Sequence, residues 1–91
     1  MDEKYVLYRG KDRFVIKCYQ DQQFVGSSEY PLDKRQEFLA EVKDFKRYVP
    51  RGRILIGYRS ADGVMEISDL LIGAGLLVPK KRRELAFAQT I

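Results

Sequence analysis

Ninety-one residues are enough for one hydrophobic core and too few for two independent domains. With 45% hydrophobic and 33% charged residues, six Tyr and five Phe, the chain has the composition of a folding domain and not of a disordered one. It has no histidine and a single cysteine, Cys18. That excludes an intramolecular disulfide, a zinc site of the usual nitrogen and sulfur ligands, and hydrolysis by a His-activated Ser or Cys.

The net charge of +4 leans toward anionic partners, and the excess is C-terminal: residues 1–49 carry ten cations against nine acids, residues 50–91 seven against four. Met1-Asp2-Glu3-Lys4 is acidic where a secretory signal is basic, and the longest apolar run, Leu70 to Val78, is less than half of a membrane span. The expectation is a soluble protein with no membrane partner, in a reducing, intracellular and cytoplasmic setting, or in the nucleoid or nucleus if it binds nucleic acid.

In chain order, Tyr5 to Arg9 reads as a short strand closed by Gly10-Lys11-Asp12. Arg13 to Gln20 alternates, with Phe14, Ile16 and Cys18 on one side and Arg13, Val15, Lys17 and Tyr19 on the other. Asp21-Gln22 is a tight connection to a third strand from Gln23, so residues 5–30 form an antiparallel meander. Cys18, in register with Phe14 and Ile16, reads as a small core residue and not a reactive thiol.

Pro31 stops the third strand, Asp33 is placed to cap a helix, and Gln36 lies where a capping-box partner belongs. Phe38, Leu39, Val42, Phe45 and Val49 make one apolar stripe at helical spacing, leaving Lys34, Glu37, Glu41, Asp44 and Arg47 as a solvated face. Pro50 ends the helix and Arg51-Gly52 turns the chain. Arg53 to Arg59 then reads as a strand with Ile54, Ile56 and Tyr58 on one face. Ser60-Ala61-Asp62-Gly63 reads as a hairpin loop into a further strand over Val64 to Ile67. Ser68 or Asp69 can cap a short second helix over Leu70 to Ala74, with an extended buried segment as the alternative, and Gly73-Ala74-Gly75 reads as a helix C-cap or a close-packing segment.

The expected fold is therefore α+β, a small antiparallel sheet of order βββαββ with one amphipathic helix packed on it and a weak second one, over residues 1–79. Residues 80–91 are a basic tail, a frayed helix or disordered.

No glycine pattern cradles a phosphate, no cofactor is implied, and the acids are scattered, so the chain reads as a binding protein and not an enzyme. Two features stand above that background. On the outward sheet face, Arg13, Lys17 and Tyr19 are expected near Arg53 and Arg59, a cationic and aromatic surface suited to phosphates and bases. After Pro79, Lys80, Lys81, Arg82 and Arg83 form a cluster able to serve as an electrostatic arm, or only to solubilise the chain end. These point to a nucleic-acid-binding accessory or regulatory factor. The competing reading is a protein-interaction module, an inhibitor or assembly factor docking on a larger protein through a sheet edge or the apolar 70–78 segment, and a homodimer is a third.

Overall fold

The computed structural model describes residues 2–78, so the basic cluster Lys80 to Arg83 and the rest of the expected tail lie outside the described residues. The meander forms as the alternation requires: β1 (Glu3–Arg9), β2 (Arg13–Gln20) and β3 (Gln23–Pro31) run antiparallel, with Leu7 opposite Ile16 and Ile16 opposite Ser28. Gly10 N–H donates to the Arg13 carbonyl at 2.8 Å across the first turn. Asp21 and Gln22 make the second turn with φ of 50° and 73°. Positive φ at both central residues matches the right-handed twist of the flanking strands. Asp21 is also tied to the chain start: its N–H donates to the Asp2 carbonyl at 2.7 Å, and the Asp2 N–H donates to its Oδ1 at 2.8 Å.

A single 3₁₀ turn, Leu32–Lys34, leads into α1 (Arg35–Tyr48). Asp33 does not cap this helix. It sits inside the 3₁₀ turn, Lys34 occupies the capping position, and no side chain accepts from the first turn. The tighter turn begins directly at Pro31 and carries the chain over the sheet one residue later than the Asp33–Gln36 pattern requires. The apolar stripe behaves as read: Phe38, Leu39, Val42 and Phe45 are buried, Phe14 stacks on Phe38 at 4.6 Å and Tyr5 on Phe45 at 3.9 Å between ring centroids. Truncating Phe38, fully buried, to alanine would cost about 3–5 kcal/mol. Val49 leaves helical geometry before Pro50, and Lys46 Nζ donates to the Pro50 and Gly52 carbonyls, 3.0 and 2.8 Å. Gly52 is favoured by close approach, because a Cβ there would meet the edge of the Phe45 ring inside van der Waals distance.

The crossover through α1 returns the chain beside β1, so β4 (Arg53–Ile56) adds parallel to it and the sheet is mixed, in the order β3-β2-β1-β4. The chain then departs from the sequence reading. The expected strand over Val64 to Ile67 is the middle of a helix, α2 (Ala61–Gly73), and Tyr58 and Arg59 lie in the loop before it. Ser60 Oγ accepts from Gly63 N–H at 3.0 Å, an N-cap, and buried Gly63, Ile67 and Leu71 recur every fourth residue. At the other end Gly75 takes φ +76°, Gly75 N–H donates to Ile72 and Leu76 N–H to Leu71, the paired bonds of a glycine C-cap. Leu70, Leu71 and Leu76 pack on the core.

Both helices share one sheet face, where Leu7, Phe14, Ile16, Phe38, Leu39, Val42, Ile67 and Leu71 form the core. Among the described residues no helix is long and apolar enough to cross a membrane.

Candidate nucleic-acid interface

Strand alternation puts Lys4, Val6 and Tyr8 of β1, and Arg13, Val15, Lys17 and Tyr19 of β2, on the sheet face that the helices leave open. On β4 the same alternation assigns Ile54 and Ile56 to the core and Arg53 and Leu55 to the open face. The pairing aligns these residues in rows across the strands. One row runs Arg53, Lys4, Tyr19, Phe24 and the next runs Leu55, Val6, Lys17, Ser27.

Phe24 reaches this face through an irregularity. From Ser27, strict alternation would send Val25 to the open face and Phe24 toward the helices. The register slips between Cys18 and Tyr19, however, so that Tyr19 pairs with Phe24 and Val25 is the extra residue of a β-bulge. Phe24 then packs edge-on against Tyr19 at 5.7 Å and remains 57% exposed.

Three cations on or beside the face approach aromatic rings. Lys17 Nζ lies 5.2 Å and the Arg59 guanidinium 4.8 Å from the centre of the Tyr8 ring, and Lys4 Nζ lies 5.5 Å from that of Tyr19. Among the described residues none of the three has a carboxylate within ion-pair distance. Gly57 makes the Tyr8 arrangement: its N–H donates to the Leu7 carbonyl at 2.7 Å, and the Tyr8 ring occupies the space a Cβ would take.

Of the residues singled out in the sequence, Lys17 and Tyr19 are where they were expected. Arg59 is not on a strand but reaches the face from the β4–α2 loop. Arg13 and Arg53 are on the face but engaged. Arg13 meets Asp12 at 3.0 Å and Glu29 at 2.5 Å, and Arg53 meets Asp2 at 3.0 Å. Such exposed pairs are weak, but they lower the net charge those arginines offer. Lys80 to Arg83 lie outside the described residues. Lys4, Tyr8 and Phe24 join the face beyond those expected from the sequence. Carrying the two-residue alternation into β1 places Lys4 and Tyr8, whereas Phe24 depends on the bulge and has no local sequence signal.

Arg59 also lines a polar cleft of about 360 Å³ at the end of β1, with Lys11, Ser60 and Asp62 among its walls. Arg9 in that cleft is paired with Glu66 at 2.9 Å.

A second polar cluster lies between α1 and the sheet. Glu41, expected on the solvated face of the helix, instead turns inward. Its carboxylate accepts from the hydroxyls of Tyr30 at 2.5 Å, Ser28 at 3.2 Å and Tyr5 at 3.4 Å. Both phenols are pushed up to about 12, Tyr5 chiefly by burial and Tyr30 chiefly by its hydrogen bond to Glu41. Burial, then the charges of Glu3 and Glu41, also raise the nearby Cys18 thiol, which disfavours its thiolate form. The cluster fastens the helix to β1 and β3.

Among the described residues no three His, Cys, Asp or Glu side chains gather as metal ligands. Comparison of the chain with protein-family models, with curated proteins and with solved structures finds no match.

Proposed function

We propose that the chain is a small, non-catalytic nucleic-acid-binding protein, accessory or regulatory in role, that uses the open face of its sheet. The observation that carries this reading is the placement of Lys4, Lys17 and Arg59 against Tyr19 and Tyr8, without carboxylate partners among the described residues, on the face opposite α1 and α2. Cations held beside aromatic rings offer a polyanion both of the things it can bind, charge for phosphates and π surface for bases. Arg13 and Arg53 contribute after exchanging their carboxylates for phosphate, and Lys80, Lys81, Arg82 and Arg83 add charge from a segment outside the described residues.

The test is titration of the full chain into labelled random-sequence single- and double-stranded DNA and RNA, at low and at moderate salt. Saturable binding that weakens steeply with salt supports the reading. Absence of binding at low salt overturns it and moves the role to protein recognition. A specific observation already favours one surface for that second reading: β3 is an edge strand, and Phe24 and Val25 on it are 57% and 52% exposed. The alternative contact, the apolar 70–78 segment, is less suited to it, because Leu70, Leu71 and Leu76 are engaged with the core.

A further inference from the structure

Resting on the nucleic-acid reading, we infer that the face takes single-stranded and not duplex nucleic acid, with a base stacked on Phe24 and the phosphates following Lys4, Lys17 and Arg59.

The shape of the face argues against a duplex groove. The row from Arg53 to Phe24 crosses all four strands, three inter-strand gaps or about 14 Å of backbone before side chains are added. The major groove, about 12 Å wide, admits a helix or a two-stranded ribbon, and the minor groove is about half that width. This sheet has α1 and α2 packed behind it, so no two-stranded ribbon projects from it. The helices are themselves held in the core by their apolar faces.

Phe24 is the residue whose chemistry selects the ligand. It carries no hydrogen-bonding group with which to read a base edge, and a duplex shows its base faces only at its ends. An unpaired base, by contrast, offers a π surface that needs no partner group. A bulge is what moves this ring from the helix side to the open side, and bulges recur where a side chain is re-aimed for use. Tyr19 buttresses the ring edge-on, fixing its orientation before a base arrives.

Tyr8 has a different part. With Lys17 and Arg59 both within 5.2 Å of its centre, it holds two cations at a fixed place on the face, about 13 Å along the strands from the Tyr19–Phe24 pair. An extended strand of a few nucleotides spans that distance, stacking at one end and neutralised along the way, as single-strand sites of modest size do.

Fluorescence anisotropy with labelled oligothymidylate of about 20 nucleotides and with a mixed-sequence duplex of the same length separates the outcomes. The expected result is tighter binding of the single strand, lowered roughly 5- to 150-fold by Phe24→Leu and restored by Phe24→Tyr, with the salt dependence unchanged in both variants. Phe24 is exposed, so Phe24→Leu leaves the core intact. Equal or tighter duplex binding that Phe24→Leu does not alter overturns the stacking inference and leaves the nucleic-acid reading standing. No binding of either probe at low salt removes the reading beneath it. A dimer by sedimentation that Phe24→Leu dissociates, with oligothymidylate binding unchanged, also overturns the inference and assigns the ring to self-association.

Discussion

Tyr30 on the edge strand donates its phenol proton to Glu41 on α1 across 2.5 Å, while Tyr5, one strand beyond β2, reaches the other oxygen of the same carboxylate. The two phenols have folded-state values near 12 against an ordinary value of 10, so the folded state holds their protons more tightly than the unfolded chain does. The sign follows: this contribution to stability is fully present below about pH 10 and is lost as the pH rises toward 12. Urea denaturation at neutral pH, pH 10 and pH 11.5 should show most of the loss in the upper interval.

Replacing Glu41 by glutamine keeps an acceptor and removes the charge. The two tyrosines should then respond unequally. Tyr30, raised mainly by its bond to Glu41, should fall most of the way back toward 10, whereas Tyr5, raised mainly by burial, should fall less. Absorbance titration of tyrosinate in Glu41→Gln, Glu41→Gln with Tyr30→Phe, and Glu41→Gln with Tyr5→Phe assigns the two. Equal shifts would contradict a burial origin for Tyr5 and a hydrogen-bond origin for Tyr30. The charge-assisted bonds become ordinary ones, and the expected destabilisation is about 1–2 kcal/mol.

The meander and the α1 stripe are readable because each rests on a period that a few residues determine; Cys18, expected in the core, shares the helix-facing side with Phe14 and Ile16 but is only partly buried there. Glu41 reads as solvated by its charge, although its position places it at the stripe: on a 100°-per-residue helix it lies about 40° from Phe45, on the margin away from Leu39. The charge of its side chain argues for solvent, and the three hydroxyls that receive it come from two strands, Ser28 and Tyr30 on β3 and Tyr5 on β1, whose placement under the helix is set by the tertiary fold. The fifth strand failed for a different reason. Asp62-Gly63 is a hairpin signal and also the first turn of a capped helix, and Val64 to Ile67 is too short to separate the two periods. Continuing the count through Leu71 would have favoured the helix. The Phe24 bulge has no such remedy, since a register slip is decided by two strands together.

Gln22 sits at φ 73°, in the region where a side chain costs about 1 kcal/mol or more and glycine is at ease. Gln22→Gly converts the turn to Asp-Gly, the favoured pair for two positive φ values, and should stabilise the chain by about 0.5–1 kcal/mol after glycine's extra unfolded-state entropy is counted. The shift would appear as a higher urea midpoint at constant m. Destabilisation would mean that the turn does not hold this conformation in solution.

Gly57 tests the Tyr8 platform without touching a charge. A methyl group there must displace the Tyr8 ring, and with it the station shared by Lys17 and Arg59. Gly57→Ala should cost about 1–3 kcal/mol of stability, as overpacking does. It should also weaken oligothymidylate binding, and Tyr8→Ala introduced alongside should relieve the stability loss but not the binding loss. A binding loss rescued together with stability would reduce Tyr8 to a packing residue.

Salt dependence separates the engaged arginines from the cations that have no carboxylate partner among the described residues. If Lys17 and Arg59 contact phosphates, replacing both by glutamine should flatten the slope of log K against log salt on a single strand by about 1.4, roughly 0.7 for each contact. Arg13 starts from two carboxylates, and a phosphate that takes it leaves Asp12 and Glu29 unpaired beside the new anion. Arg13→Gln should therefore change the slope less than either single replacement at Lys17 or Arg59. Glu29→Gln, which releases one of those carboxylates, should tighten binding. Replacing Lys80, Lys81, Arg82 and Arg83 together by alanine should remove up to about 4 units of slope on duplex, roughly 0.9 per lost contact, and about 3 on a single strand. An unchanged slope in that variant would exclude the tail from binding and leave the sheet face to account for all of it. If the tail variant loses the slope while the Lys17 and Arg59 variants keep it, the attraction resides in the tail and the aromatic face has another use.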